Sequence, residues 1–320
     1  MPVNANKPER WKSDIARSVD FYNDWFLRFA PKTYRDIRVE TTEQVVSALK
    51  LVGNLASLKG EVLEQNPSVL PILRMSTAPP IARDRLIGLA GVSANLVRSM
   101  EIKHITPPRM SRSQIRIELD KICQVIQRLI DEDLFPWLSL GHEPGRQEIQ
   151  RAATVVADRL CGAVSDPIIR NAQEQRQLAA IKQWLEGRGY IEIKADDRPR
   201  FGEMEPGTFA FRLNIPVKQE GRARQVNLPI DVVVMPVGSA PGEFPVLIEA
   251  KSAGDFTNTN KRRKEEATKI AQLRNTYGDD VQLVLFLCGY FDSGYLGYEA
   301  AEGIDWVWEH RIADLAEFGV

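Results

Sequence analysis

Two carboxylates and an ammonium, Asp231, Glu249 and Lys251, stand within LPIDVVVMPVGSAPGEFPVLIEAK, residues 228–251. Asp231 opens a β-branched apolar run to Met235. Pro236, Gly238, Pro241 and Gly242 then interrupt it, and Phe244 to Ile248 is apolar again. That order predicts a strand, a turn and a second strand. Glu249 and Lys251 are two residues apart, so in a continuing strand their side chains leave the same face. Ionised groups among strand residues are costly to bury unless they pair or bind an ion. Metal-assisted hydrolysis of a phosphodiester is one chemistry that uses them. Asp231 and Glu249 would ligate a hard cation such as Mg2+, the Ala250 carbonyl would add an oxygen, and Lys251 would orient the attacking water. An ion pair on an exposed edge strand accounts for the same residues without chemistry.

The next segment, residues 255–278, supplies a second reason for that reading. Asn258 or Asn260 can cap a helix whose first turn carries Lys261, Arg262, Arg263 and Lys264. Cations at a helix N-terminus oppose its dipole by ~0.3–1 kcal/mol each. A bound polyanion reverses the sign, because free N–H groups and basic side chains together make a phosphate site. A solvated basic turn, partly offset by Glu265 and Glu266, is the plainer alternative. Upstream, residues 168–187 form an amphipathic helix with Ile168, Ala172, Leu178, Ile181 and Leu185 on its core stripe. Glu174 on that helix is a candidate for the water shell of the cation. Farther upstream, residues 83–101 resemble a helix-turn-helix with Gly91 at the turn, although Ile87 stands where a small residue is expected; an ordinary helical hairpin is the alternative. Arg98, Lys103, Arg109, Arg112 and Arg116 then face only one acid, Glu101, between Arg98 and Arg116. Interleaved with Ser111, Ser113 and Gln114, they offer phosphate contacts and base-edge donors, or simply a solvated loop.

The elements that must position these groups fall into two stretches. Residues 1–165 predict a mostly helical domain for recognition or dimerisation, with apolar spacing at 15–29, 44–51, 86–100, 115–129 and 149–160. Prolines, including Pro31, Pro107 and Pro136, mark the joints. The character changes after Asp166-Pro167. Residues 166–320 predict strands at 190–193, 208–217, 225–235, 246–251, 281–288 and 306–308, with a helix at 261–277. Such an order describes an α/β (α+β) core with a mixed sheet.

Composition bounds the rest. A chain of 320 residues, 43% hydrophobic and 27% charged, has the make-up of a globular protein of about two domains. No apolar run approaches the ~18 residues of a membrane span, and the N-terminus lacks a signal-peptide core, which together predict a cytoplasmic protein without membrane contact. Cys123, Cys161 and Cys288 are scattered singly and His104, His142 and His310 are unclustered, so disulfides and a structural zinc are not expected. The net charge of −1 conceals an asymmetry: 23 Lys and Arg against 19 Asp and Glu in residues 1–165, but 19 against 24 in residues 166–320. DNA binders need local basic patches rather than a high total. Trp11, Trp25, Trp137, Trp184 and His310 read as core or structural, and no P-loop, GxGxxG or G-x-S-x-G pattern occurs.

A helix glutamate (Glu174), then Pro229-Ile230-Asp231, then Glu249-Ala250-Lys251 with a helix and strand behind them, resembles the PD-(D/E)XK nuclease core of many type II restriction endonucleases. Longer segments are more specific. Residues 10–26 (RWKSDIARSVDFYNDWF), 75–93 (MSTAPPIARDRLIGLAGVS), 254–270 (GDFTNTNKRRKEEATKI) and 303–315 (GIDWVWEHRIADL) are similar to the XamI-like restriction endonucleases. The resemblance implies a Mg2+-dependent enzyme that cuts both strands of a short duplex site, with a cognate DNA methyltransferase protecting the host; cutting a palindrome in both strands calls for two active sites on a two-fold axis, which predicts a homodimer on DNA. It makes Asp231 and Glu249 metal ligands, Lys251 the residue serving the water, and Glu174 the accessory acid. One departure is that Ile230 separates the proline from the aspartate. Rival expectations are a non-catalytic DNA-binding regulator with a nuclease-like fold, and a structure-specific repair nuclease of that fold.

Overall fold

Ten α-helices and six strands are formed by the described residues of the computed structural model, which are 2–194, 201–219, 225–240, 242–257 and 259–320, with backbone alone for 163–166, 201 and 259–262. In chain order they are α1 (Pro8–Leu51), α2 (Gly60–Gln65), α3 (Leu70–Met75), α4 (Arg83–Ala90), α5 (Ala94–Lys103), α6 (Arg112–Leu129), α7 (Pro136–Leu140) and α8 (Arg146–Glu186). The strand region follows, with β1 (Ile191–Glu192), β2 (Thr208–Val217), β3 (Val226–Met235), β4 (Val246–Ala253), α9 (Thr259–Tyr277), β5 (Leu283–Gly289), α10 (Ser293–Ala301) and β6 (Asp305–Trp308). The expected mixed sheet flanked by helices, behind a helical N-terminal region, is the fold observed.

Contacts divide the chain into one unit of Met1–Phe29 with Arg170–Val320 and another of Ala30–Ile169. The first 29 residues therefore go with the sheet rather than with the helices that follow them. Named contacts explain why. The Asn4 amide donates to the Trp306 carbonyl at 2.8 Å, Trp11 packs edge-on against Trp306, and Asp14 pairs with Arg311 at 2.8 Å. Two prolines expected as joints lie inside helices, Pro31 in α1 and Pro167 in α8. An internal proline forfeits one helical hydrogen bond, a loss that long flanking helical turns can absorb.

In the sheet unit the strand order is β1-β2-β3-β4-β5-β6. β2, β3 and β4 run antiparallel, whereas β1 with β2 and β4 through β6 pair in parallel. Parallel neighbours require crossovers, and α9 and α10 supply those between β4, β5 and β6. One sheet face packs Leu247, Leu285 and Trp306 with Ile270 and Leu273 of α9. The other packs Ile248, Phe286 and Val307 with Leu178, Ile181 and Leu185 of α8. A strand buried on both faces reads as continuously apolar, as in Leu283–Gly289, where every residue is buried. Full burial of each such Leu or Ile contributes ~1.5–3 kcal/mol.

The helical unit has its own core, drawn from Leu49, Leu63, Leu73, Leu86, Leu96, Leu119, Ile126 and Val156 among others. Within it α4 and α5 meet at Gly91, whose φ of +59° is a left-handed helix stop that glycine adopts without penalty. Leu86, Ala90, Val92, Val97 and Met100 are buried there, as the apolar spacing predicts.

Candidate active site

The β2–β3 hairpin changes face half-way along. On β2, Ala210 contributes to the α9-side core, but beyond Phe211 it is Leu213, Ile215 and Val217 that do so. On β3 the same change runs from Met235 and Val233 to Ile230 and Leu228. Odd and even positions have exchanged roles between Phe211 and Leu213, and between Ile230 and Val233. Arg212 causes it, with a φ of +51° inside the strand. A residue in the left-handed region turns the pleat and lets the following side chains leave from the opposite face.

Asp231 lies at that switch, and there β3 parts from β4. Registered pairs run from Val234↔Val246 to Val232↔Ile248 and stop. Where the ladder would continue, the Asp231 carboxylate takes the place of a backbone acceptor, and the Ala250 N–H donates to its Oδ2 at 2.9 Å. In an extended strand the N–H and C=O of one residue leave by the same edge, so the Ala250 carbonyl borders the same gap. Glu249 and Lys251 leave β4 on the α9 side with Leu247 and Ala253. Three of the expected residues are thus brought to one place.

Two ammonium groups bracket Glu249. Lys251 Nζ donates to its Oε2 at 2.9 Å, and Lys269 Nζ of α9 lies 2.8 Å from its Oε1. The Glu249 side chain is 2% exposed, against 24% for Lys251 and 21% for Lys269, so the anion is buried while both cations reach the surface. Burial, followed by the Glu249 charge, raises the Asp231 carboxyl above its ordinary value despite Lys251, the Ala250 N–H and Lys269. Burial pulls the Lys251 ammonium down, but the Glu249 carboxylate, with Glu266 and Asp231 beyond it, outweighs burial and leaves it raised. Lys251 is therefore a cation in this arrangement and fits an orienting role better than that of a base.

Behind the lysines lies a buried acidic pair. Tyr295 Oη donates to Glu266 Oε2 at 2.7 Å. Glu299 is fully buried, and burial, then the Glu266 charge, push its carboxyl up to about 9. It is held as a neutral acid, which is how a second carboxyl can share this interior.

Glu174 is not brought to Asp231 and Glu249. It ion-pairs with Arg212 at 2.6 Å, on the helix whose Leu178 and Ile181 pack against the other face of the sheet. An α8 residue that does reach the strand carrying Lys251 is Gln177, 1% exposed, whose Nε2 donates to the carbonyls of Lys251 at 3.3 Å and Phe286 at 3.1 Å. Gln177 and Lys269 were both missed in the sequence. A glutamine on the buried stripe is the only signal for the first, and the second is one lysine among several on a strongly polar helix.

Of the basic residues, the Arg263 guanidinium lies 5.0 Å from the centre of the Tyr298 ring and Lys264 is exposed. Asn258 lies outside the described residues, as do the side chains of Asn260, Lys261 and Arg262. In the helical unit Arg98 lies 3.9 Å from Asp84, Arg112 3.4 Å from Glu64, and Arg116 3.2 Å from Glu64 and 3.5 Å from Glu61; Arg109 is exposed. Acids on α2 thus offset part of the charge that made this segment look basic.

The donors suit a hard divalent cation, since two carboxylates and a carbonyl are hard oxygens. Burial first, and the Glu249 charge second, raise Asp231, and a cation shared by the two carboxylates would offset both. Among the described residues no group of three or more His, Cys, Asp or Glu converges as a metal site. A cation held by Asp231 and Glu249 would keep much of its shell for water and substrate, as Mg2+ characteristically does.

Residues 53–308 match the XamI restriction endonuclease family. Over 317 residues the chain is 54% identical to the type II restriction enzyme SalI of Streptomyces albus G, spanning 99% of each chain. Among solved structures, protein VC1899 from Vibrio cholerae aligns over 80% of this chain and 55% of its own, at 14% identity and a TM-score of 0.29, too loose a superposition to carry an inference. The family match covers most of the sequence, and the similarity to SalI runs from end to end. The chain belongs to the XamI restriction endonuclease family.

Proposed function

We infer that this restriction endonuclease hydrolyses one phosphodiester in each strand of a short duplex DNA site, using Mg2+ at a PD-(D/E)XK-type centre made by Asp231, Glu249 and Lys251. The observation that carries this reading is the gap between β3 and β4, where the Asp231 carboxylate replaces a ladder acceptor beside a Glu249 bracketed by ammonium groups. A structural ion pair has no need of a second carboxylate against its own kind.

Asp231, Glu249 and the Ala250 carbonyl would hold the cation, which when bound supplies charge neutralisation at the phosphate and acidifies a water. Lys251, kept protonated by Glu249, would orient that water through its N–H donors for in-line attack on phosphorus, the proton of the water passing to solvent. The departing 3′ or 5′ oxygen takes its proton from solvent. Gln177 anchors the carbonyls behind Lys251 and so fixes the strand from which it projects. Arg263, Lys264 and, in the helical unit, Arg98, Arg109, Arg112 and Arg116 are proposed phosphate and base contacts, in keeping with the idea that phosphate contacts position and base contacts specify. Cutting both strands of a symmetric site calls for two such centres related by a two-fold axis, hence a homodimer on DNA, together with a methyltransferase that protects the host's own sites.

Incubation of the purified protein with phage or plasmid DNA and Mg2+ tests the proposal. Discrete fragments that disappear with EDTA and with Asp231→Ala are expected, and sequencing their ends reads site, cut position and end polarity together. Uncut DNA under every divalent metal, with salt-sensitive binding that survives EDTA, would instead identify a regulator. Cleavage that follows DNA ends or junctions would identify a structure-specific nuclease.

A further inference from the structure

Lys269 is not accounted for by the mechanism above. Its Nζ sits 2.8 Å from Glu249 Oε1, the oxygen not used by Lys251, and 3.5 Å from the Pro229 carbonyl. Two cations, Lys251 and Lys269, already face the carboxylates Asp231 and Glu249, with Glu266 beyond them. Loading a dication there leaves the group with positive charge in excess, which is unfavourable around a buried carboxylate unless one ammonium withdraws. Lys251 is tied to the site by its strand, one residue from the Ala250 N–H that Asp231 holds. Lys269 instead projects from α9 on a long flexible side chain, on the helix that also carries the exposed Lys264. A phosphate at the cleavage centre would be the nearest new anion for an ammonium released there.

We propose that Lys269 is a phosphate-binding catalytic residue that holds the place of a cation on Glu249 in the empty enzyme and transfers to the DNA backbone when the site is loaded. This rests on the nuclease reading of Asp231 and Glu249. Lys269 then has two anionic partners in succession. While on Glu249 it neutralises a buried carboxylate that would otherwise face Asp231; on the substrate it neutralises charge developing at the phosphate.

Two measurements, neither of them turnover, test the proposal in the full-length protein. Calorimetric titration with Mn2+ in the absence of DNA is expected to show about tenfold tighter binding by Lys269→Met than by wild type, because a competing cation is gone, while Lys269→Arg binds as wild type does. Duplex DNA binding is then followed against salt. With Ca2+ present, the slope of log K against log salt is expected to shrink by about 0.9 in Lys269→Met, the equivalent of one lost phosphate contact. With EDTA the slopes of variant and wild type are expected to coincide, because Lys269 is then engaged by Glu249. Unchanged or weaker Mn2+ binding by Lys269→Met, or an equal loss of slope with and without metal, overturns the proposal. If Lys269→Met does not fold, Lys269→Gln, which retains hydrogen-bonding reach without charge, takes its place with the same expectations. Failure of the underlying nuclease reading has a different signature: wild type that neither binds Mn2+ nor cuts DNA in any divalent metal.

Discussion

At the scale of single residues the site is a compromise between charge and burial. Asp231 is raised above the ordinary carboxylate range by burial and by Glu249, so ionisation of this group costs the fold stability at neutral pH. The sign follows from linkage: a carboxyl that binds its proton more tightly when folded stabilises the fold at low pH and loses that contribution as pH rises through the raised value. Asp231→Asn should therefore melt a few degrees above wild type in EDTA at pH 8 while losing at least a thousandfold in cleavage; a lower melting temperature would contradict the assignment of strain to this pair. Glu299 gives a second, independent handle. Its folded value of about 9 against an ordinary unfolded carboxyl means that stability declines as pH climbs from about 5 to 9. Glu299→Gln, an isostere of the neutral acid, should flatten that decline and melt higher than wild type at pH 9 by calorimetry.

At the scale of elements, the decisive feature is the reversal of the β2–β3 hairpin at Arg212. A non-glycine residue at φ +51° inside a strand costs ~1–3 kcal/mol unless the surroundings hold it. Here the held geometry re-aims Asp231 sideways into the gap with β4. Glycine takes this conformation freely and β-branched residues resist it. Arg212→Gly should thus leave stability within about 1 kcal/mol of wild type, the lost exposed pair with Glu174 being of small worth. Arg212→Val should cost ~1–3 kcal/mol more in denaturant melts and reduce cleavage with it. Equal behaviour of the two variants would show that the left-handed backbone at Arg212 is incidental. The strand spans and the hairpin were legible beforehand, because β-branched runs punctuated by proline and glycine have few other solutions. The reversal was not, since an arginine carries no compositional mark of a left-handed backbone.

At the scale of the whole molecule, two units share the chain, and it passes between them within helices α1 and α8 rather than in loops. The boundary expected near Pro167 lies close to the second of these passages. The first leaves no mark in the sequence, because residues 1–29 read simply as another amphipathic helix. Nothing in such a pattern says which core it joins; Asn4, Trp11 and Asp14 decide that by meeting Trp306 and Arg311. The family and the demand for two cuts lead to an expectation for assembly. Sedimentation with a cognate duplex should show two chains per site, with the cleavage rate rising as the square of protein concentration at limiting dose. A single chain cutting both strands would remove the two-fold argument.

What the sequence determined alone was the inventory of chemistry: two carboxylates and a lysine at strand spacing, a basic helix start behind them, and segments specific enough to imply a family. These are local facts, set by residue type and by the two-residue and 3.6-residue periods of strand and helix. Only the tertiary structure decided which groups share a site. It turned Asp231 toward Ala250 at a break in the ladder, placed Lys269 on Glu249 across 20 positions of chain, and gave Glu174 to Arg212 on the far side of the sheet. The physical reason is that a partner distant in sequence is chosen by how helices dock on the sheet and by where a strand switches face, and neither leaves a periodic trace in the residues themselves.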